Sequence, residues 1–366
     1  MKSFTIFTLL LLFQFSSMTA QDSAEPMLLA ALTETTKTEI LESAEADTTT
    51  VEEPKLQFGG SIDAYYRANF NADAGVAPAT SFANLPGFAL GMANLTVSKD
   101  GAKAGFMADL VFGPRGEDAT FLSGTLRPAT NGASNSSSIV NQLYAYWNIS
   151  DKVTVTIGNF NTFLGYEVIS PASNFNYSTS YMFSYGPFSH TGLKLDTDLG
   201  NGFSLMAGIF NPTDATEYNP TNDYVGGLQL GYDFGSGSVY LNGIFQDGFY
   251  QLDITGGVDV SDKVYLGLNA TVAQDAFGGV ALYAQTAVSE SLKLGIRGEY
   301  FADNGIGVVG TDENIIDLTL SASYTVGNLT LIPEFRLDAA SQEVFVNDQE
   351  LNKSLASFVL AAVYGF

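Results

Sequence analysis

The chain has 366 residues and a formal net charge of −24, with 37 Gly, 27 Phe and 18 Tyr against 15 Lys and Arg, and no Cys. That length fits two ordinary soluble domains or one large β structure, and so many aromatic and glycine residues favour the second. The lack of cysteine excludes disulfides, thiolate metal sites, cysteine nucleophiles and a lipidated cysteine anchor, and the acidity argues against nucleic acid as a partner.

Residues 1–20 read "MKSFTIFTLLLLFQFSSMTA". Lys2 supplies a short positive start, Ile6 to Phe15 is an apolar core too short to span a bilayer as a helix, and small and polar residues lead to Ala20. This predicts a signal peptide cleaved after Ala20, against the alternative of a buried helix. Residues 21–55 hold nine acids, two lysines and no aromatic residue, the composition of a disordered, solvated linker. Within it, Leu28, Leu29, Leu32, Ile40 and Leu41 recur loosely at helical spacing, so a short helix over 27–43 is the alternative there.

From residue 56 to 366 the pattern changes to a period of two. "VTVTIG" (153–158) sets Val153, Val155 and Ile157 against Thr154 and Thr156, and "SLKLGIRGEY" (291–300) sets Leu292, Leu294 and Ile296 against Lys293, Arg297 and Glu299. About sixteen such segments are expected, near 56–70, 87–98, 101–112, 139–149, 152–160, 189–198, 202–210, 223–234, 237–246, 249–260, 263–272, 277–288, 291–301, 313–326, 328–338 and 354–366. A soluble sandwich would hide the apolar face against a second sheet, whereas a transmembrane barrel would turn it to lipid. The even count and the length of about ten residues favour the barrel. So do the connections: short turns such as "SDK" (150–152), "LGNG" (199–202) and "GSG" (235–237) alternate with long ones at 113–138, 161–188, 211–222, 302–312 and 339–353. Short periplasmic turns with longer external loops are expected, although the connections near 246–249 and 272–277 break the rule. Phe358, Leu360, Tyr364 and the terminal Phe366 share one face, the kind of signal a barrel insertion machinery reads.

The stretch 143–195 carries a strand–turn–strand ending in "IGNF" (157–160), then "LGYE" (164–167), "NFNYS" (174–178) and "GPFSHTG" (186–192). Over these fifty or so residues the sequence resembles the OmpL-like beta-barrel porin family of Gram-negative bacteria. The flanking strands fit that family by barrel pattern alone. The resemblance implies an outer-membrane pore without a cofactor or a reaction, passing ions and small hydrophilic solutes, and it names no solute. Porins of this strand count are often trimers, so a homo-oligomer is expected by analogy. A non-conducting structural or binding barrel is the alternative.

The 161–188 connection is the longest, and long loops in compact structures are functional or disordered. Six aromatic residues between 174 and 192 argue against disorder. One reading folds this loop into the lumen as a constriction built from Tyr166, Glu167, Asn174, Phe175, Asn176, Tyr177, Tyr181, Phe183 and Tyr185, with hydroxyls and amides facing water. The other leaves it as an external cap or an aromatic girdle. Glu167 either presents its charge at the constriction or pairs with a wall cation such as Lys194 or Arg297. By strand parity, Asp63, Arg67, Lys103, Asp109, Lys194, Asp196, Lys293, Arg297, Glu299, Glu334, Arg336 and Asp338 face the lumen, along with Asp253 and Asp317. Mixed rows of this kind either line a transverse field or brace the wall as ion pairs. The barrel segment carries about −18, which predicts modest cation selectivity.

His190, the single histidine, invites comparison with barrel phospholipases that use a Ser–His pair. Ser189 points to the opposite strand face and no other serine sits in a recognisable motif, so a structural role is expected and no enzyme. Asp196 and Asp198 in "LDTDLG" lack the downstream bidentate Glu of a calcium loop, and no metal site is expected.

Overall fold

The computed structural model describes residues 55–121, 136–219, 221–310 and 312–366. The signal peptide, most of the acidic linker and the alternative helix at 27–43 lie outside the described residues.

Sixteen antiparallel strands close into one barrel. In chain order they are β1 (Gln57–Asn69), β2 (Gly87–Lys99), β3 (Ala104–Phe112), β4 (Val140–Ser150), β5 (Val153–Asn161), β6 (Ser189–Gly200), β7 (Phe203–Phe210) and β8 (Val225–Asp233). There follow β9 (Gly237–Gln246), β10 (Phe249–Ser261), β11 (Val264–Ala273), β12 (Phe277–Ala287), β13 (Leu292–Asp303), β14 (Glu313–Val326) and β15 (Leu329–Ala340). A two-stranded hairpin, β16 (Phe345–Asn347) and β17 (Glu350–Asn352), interrupts the last external loop before β18 (Ser354–Gly365). β18 pairs with both β15 and β1, so the seam leaves no open edge.

Each barrel strand falls within three residues of its expected position. Alternation explains why. On β14, Ile316, Leu318 and Leu320 are exposed outward, while Asp317, Thr319 and Ser321 are buried inward. In lipid no water is at hand to satisfy a free amide, so a closed hydrogen-bonded wall is required, and the apolar outward set is the solvent-matched face. Aromatic rings mark both rims: Trp147, Phe203, Tyr232 and Tyr324 lie exposed near the short turns, and Phe88, Phe112, Phe245 and Tyr300 near the loop side. Among the described residues no helix is long and apolar enough to cross a membrane. The turn between β6 and β7 places Asn201 and Gly202 at φ 54° and 81°, the left-handed pair that a two-residue type I′ hairpin demands.

Two short helices were not expected from the sequence: α1 (Pro114–Ala119) after β3 and α2 (Tyr181–Tyr185) in the long loop before β6. Ser180 caps α2 by accepting the Phe183 amide. Neither helix is long enough to show an apolar period in sequence.

At the seam the Phe366 amide donates to the Gly60 carbonyl and the Gly60 amide to the Phe366 carbonyl, each at 3.0 Å. Phe358, Leu360 and Tyr364 lie along β18, with Leu360, Tyr364 and Phe366 exposed outward. Deleting Phe366 removes the terminal ring together with both seam bonds. The expected outcome is slowed assembly, read as a fall in the heat-modifiable folded band on electrophoresis. A deletion mutant with a normal folded band would contradict the role of the last residue.

Candidate functional site

The loop from β5 to β6 turns inward and runs across the inner wall. Every residue from Asn176 to Phe183 is buried. Apart from the single turn of α2 this stretch has no regular structure, so its backbone groups need partners from elsewhere. The wall supplies them as charged side chains. Glu334 on β15 accepts the Tyr177 and Ser178 amides at 2.8 and 3.1 Å. Glu299 on β13 accepts the Tyr181 and Met182 amides, each at 2.8 Å. Arg297 donates to the Ser178 carbonyl at 2.8 Å and Arg336 to the Thr179 carbonyl at 2.7 Å. Charge-assisted bonds of this kind are the stronger class.

Strand register places these groups. Glu299 lies opposite Asp317, which lies opposite Asp338, and one step along the strands Arg297 lies opposite Thr319, which lies opposite Arg336. An acidic row therefore sits beside a basic one. The ion pairs link Glu167 to Arg297 at 2.6 Å, Arg297 to Asp317 at 3.1 Å, Asp317 to Arg336 at 2.8 Å and Arg336 to Asp338 at 2.8 Å. All five side chains are almost completely shielded from solvent. The Glu167 carboxylate also accepts the Ser180 amide and hydroxyl at 2.8 and 2.6 Å. Of the two roles the sequence leaves open for Glu167, the structure selects pairing, and of the two candidate partners it selects Arg297.

The other loop residues have seats as well. The Tyr166 ring stacks on Tyr283 with centroids 4.1 Å apart. A side chain at Gly267 would overlap Tyr166, and one at Gly295 would overlap Phe175, so these wall glycines leave the space the rings occupy. Asn174 closes a turn inside the loop by accepting the Val168 amide at 2.9 Å, and Asn176 donates to the Ser321 hydroxyl at 2.8 Å. The Tyr177 hydroxyl donates to Asp63 and that of Tyr181 to Asp338, both on the wall. Phe183 packs with Phe82 and Phe188. The Tyr185 hydroxyl donates to the Ala79 carbonyl in the first external loop. At the end of the stretch Asp214 accepts the Phe188 and Ser189 amides at 2.8 Å each, tying the loop to its exit strand.

The remaining charges divide. Arg67 is buried and bonds Asn69 and the Val76 carbonyl, and Asp109 is buried among Asn94, Asn141 and Gln142. Asp253 accepts from Gly165, Asn242 and Asn269. Lys194 and Asp196 pair at 2.8 Å, part-exposed, on β6, the strand diametrically opposite β14. Lys293 is exposed near the start of β13. Lys103 is a correction: it lies in the turn before β3, not on the wall, because the β2–β3 pairing begins later than the sequence pattern implies. His190 is buried against Phe163 and Phe210, with its Nε2 2.9 Å from the Thr162 hydroxyl. Sequence reasoning missed Arg115 on α1, which reaches the Ile169 and Tyr177 carbonyls. Nothing in its local pattern placed it inside.

A lipid-facing sixteen-strand wall with a loop folded against its inner face defines an outer-membrane barrel of the porin type. The chain matches the family described as "Putative beta-barrel porin-2, OmpL-like" over residues 55–366, and it belongs to that family. No curated protein matches the sequence. Among solved structures it is similar to OprB of Pseudomonas putida at 11% identity and TM-score 0.57, covering 85% of this chain and 94% of that one. It is also similar to the trimer form of OmpT from Vibrio cholerae at 13% identity and TM-score 0.55, covering 86% and 100%. A mutant of Rh. blastica porin gives 14% identity and TM-score 0.51, covering 85% and 100%. Identities this low show a shared fold. The family and the fold place the protein in the outer membrane of a Gram-negative bacterium.

Removing one member of a buried ion pair leaves the other uncompensated, a loss of about 3–5 kcal/mol. Arg297→Leu leaves Glu167 without its cation and Asp317 with Arg336 alone. The expected outcome is a lower urea midpoint and chymotrypsin cleavage near Tyr177 to Phe183 in folded protein. Lys194→Gln, which removes a part-exposed pair worth about 0–1 kcal/mol, should change neither. Equal behaviour of the two variants would contradict the pinning role of Arg297.

Proposed function

We propose that the protein is a passive diffusion channel for ions and small hydrophilic solutes, narrowed by the 161–188 loop. The observation that carries this is the loop's position. Its later half is bonded to the inner face of β13, β14 and β15, while Tyr146 on β4 and Lys194 and Asp196 on β6, across the barrel, stay part-exposed. Solutes then pass beside the β4–β6 wall, where the Tyr146 ring and the Lys194–Asp196 pair remain part-exposed. No catalytic step belongs to this reading.

Modest cation selectivity follows from the external rim rather than from the wall. Most wall acids are already paired or accept hydrogen bonds, so they contribute little free charge. The external loops expose Glu117, Asp118, Asp223, Asp247, Asp275 and Asp312, with further acids on the β16–β17 hairpin. Lys353 is the exposed base among the described residues of those loops. Acids at a mouth raise the local cation concentration, and salt screens the effect over about 10 Å at 0.1 M. A homo-oligomer remains part of the proposal, by analogy with the trimeric neighbour.

A second reading is favoured by one observation. Tyr177, Tyr181, Phe82 and Phe301 are fully buried inside the barrel, the density of a plug rather than a wet channel. A non-conducting barrel that displays loops would show the same core. Planar-bilayer recording separates the two. The channel predicts stepwise openings, a cation-favouring reversal potential that shrinks at high salt, and larger steps when residues 174–185 are deleted. An inserted protein that stays silent, before and after the deletion, would establish the plugged barrel instead.

A further inference from the structure

A cavity of about 160 Å³ lies between the inner wall at β1 and β2, the external loop 70–86, and α1. Tyr65, Phe82, Asn84, Arg115, Asp118 and Tyr177 are among its lining residues. Arg115 is only 3% exposed. Its Nε donates to the Ile169 carbonyl at 2.9 Å and its Nη1 to the Tyr177 carbonyl at 3.1 Å. The guanidinium carbon sits 4.3 Å from the centre of the Phe82 ring and 5.3 Å from that of Tyr177, so its plane is fixed. Nη2, with two N–H donors, has no partner. Asn84, another lining residue, has an unpartnered Oδ1. The Tyr65 hydroxyl accepts from the Leu85 amide at 2.9 Å and keeps its own hydrogen to give.

An unpaired buried cationic donor is costly, and the cavity holds both a positive donor and a neutral acceptor. An apolar or purely cationic occupant would leave Nη2 unmatched. A carboxylate matches it, and a donor on the adjacent carbon matches Asn84 Oδ1. Glu117 and Asp118 lie exposed at the rim, which favours an ammonium over a hydroxyl as that donor. The volume is that of a cavity known to take benzene, about six heavy atoms, the size of the smallest amino acids. We propose that this cavity binds a small zwitterionic amino acid, its carboxylate on Arg115 Nη2 and its ammonium toward Asn84 Oδ1 and the acidic rim. This is a binding site of its own and does not depend on conduction.

Calorimetric titration of the full detergent-folded chain with L-alanine, L-lactate, propylamine and inorganic phosphate tests it. L-Alanine should bind most tightly, L-lactate more weakly, and propylamine and phosphate not measurably. Asn84→Leu keeps the size but removes the acceptor for the ammonium, so alanine affinity should fall by more than about tenfold. Arg115→Lys should fall likewise, with its heat-modifiable band checked because the arginine also holds the loop. Single-channel steps of the Asn84→Leu protein should match the wild type, which reads the channel separately from the site. No alanine binding would overturn the proposal. So would equal or tighter binding of lactate or phosphate, or affinity unchanged in Asn84→Leu.

Discussion

Asp317 is shared between two buried arginines, and the rest of the interior is arranged around that sharing. Arg297 and Arg336 reach it at 3.1 and 2.8 Å, and each extends its remaining donors into the loop. The constraint beneath this is backbone satisfaction. A loop without regular structure, buried inside a barrel, leaves amides and carbonyls that water cannot reach. Neutral side chains would satisfy them one at a time. A carboxylate accepts two adjacent amides at once, as Glu334 and Glu299 do, and a guanidinium reaches a carbonyl while staying ion-paired. The register of β13, β14 and β15 makes this feasible, because it lays the row Glu299, Asp317 and Asp338 beside the row Arg297, Thr319 and Arg336.

Using the wall charges this way has a functional consequence. Carboxylates that hold the loop are not free to attract ions. Strand parity puts these acids on the buried inner face, and their count overstates the charge left free there. The exposed acids of the external loops remain, so selectivity is expected to reside at the mouth and to be sensitive to salt. The loop spans the interior by the same means: its first residues meet Gln229 on β8 and Asp253 on β10, and its later half is held against β13 to β15. The glycines that seat Tyr166 and Phe175 fit this arrangement, since a bulkier residue at either position would push a ring back toward the passage.

The barrel was legible in the sequence because its signal is repeated sixteen times and has one physical cause, lipid outside and polar groups inside. Strand ends were blurred where turns carry strand-like residues, which is how Lys103 was placed on the wall. The hairpin β16–β17 was missed because three-residue strands are too short to show alternation. The candidate site was half legible. Length and six aromatic rings marked the loop, but its residues follow no period, so their partners could not be derived. Glu167 and Arg297 are 130 residues apart and meet only because β13 lies across the barrel from β5. The unpaired Arg115 was invisible for the same reason: only the fold shows that its surroundings are aromatic rings and carbonyls.

The loop is seated on the β14 wall in the folded protein. Asn176 and Ser321 mark the contact, with the amide 2.8 Å from the hydroxyl, and the chain has no native cysteine to interfere. Asn176→Cys with Ser321→Cys, oxidised in the outer membrane and read by the mobility of the unfolded chain, tests it directly. Rapid cross-linking is expected in the double variant, with channel steps equal in the oxidised and reduced protein because the bond only fixes what is already in place. Thiols that stay free under oxidation, or a conductance that changes on locking, would contradict it.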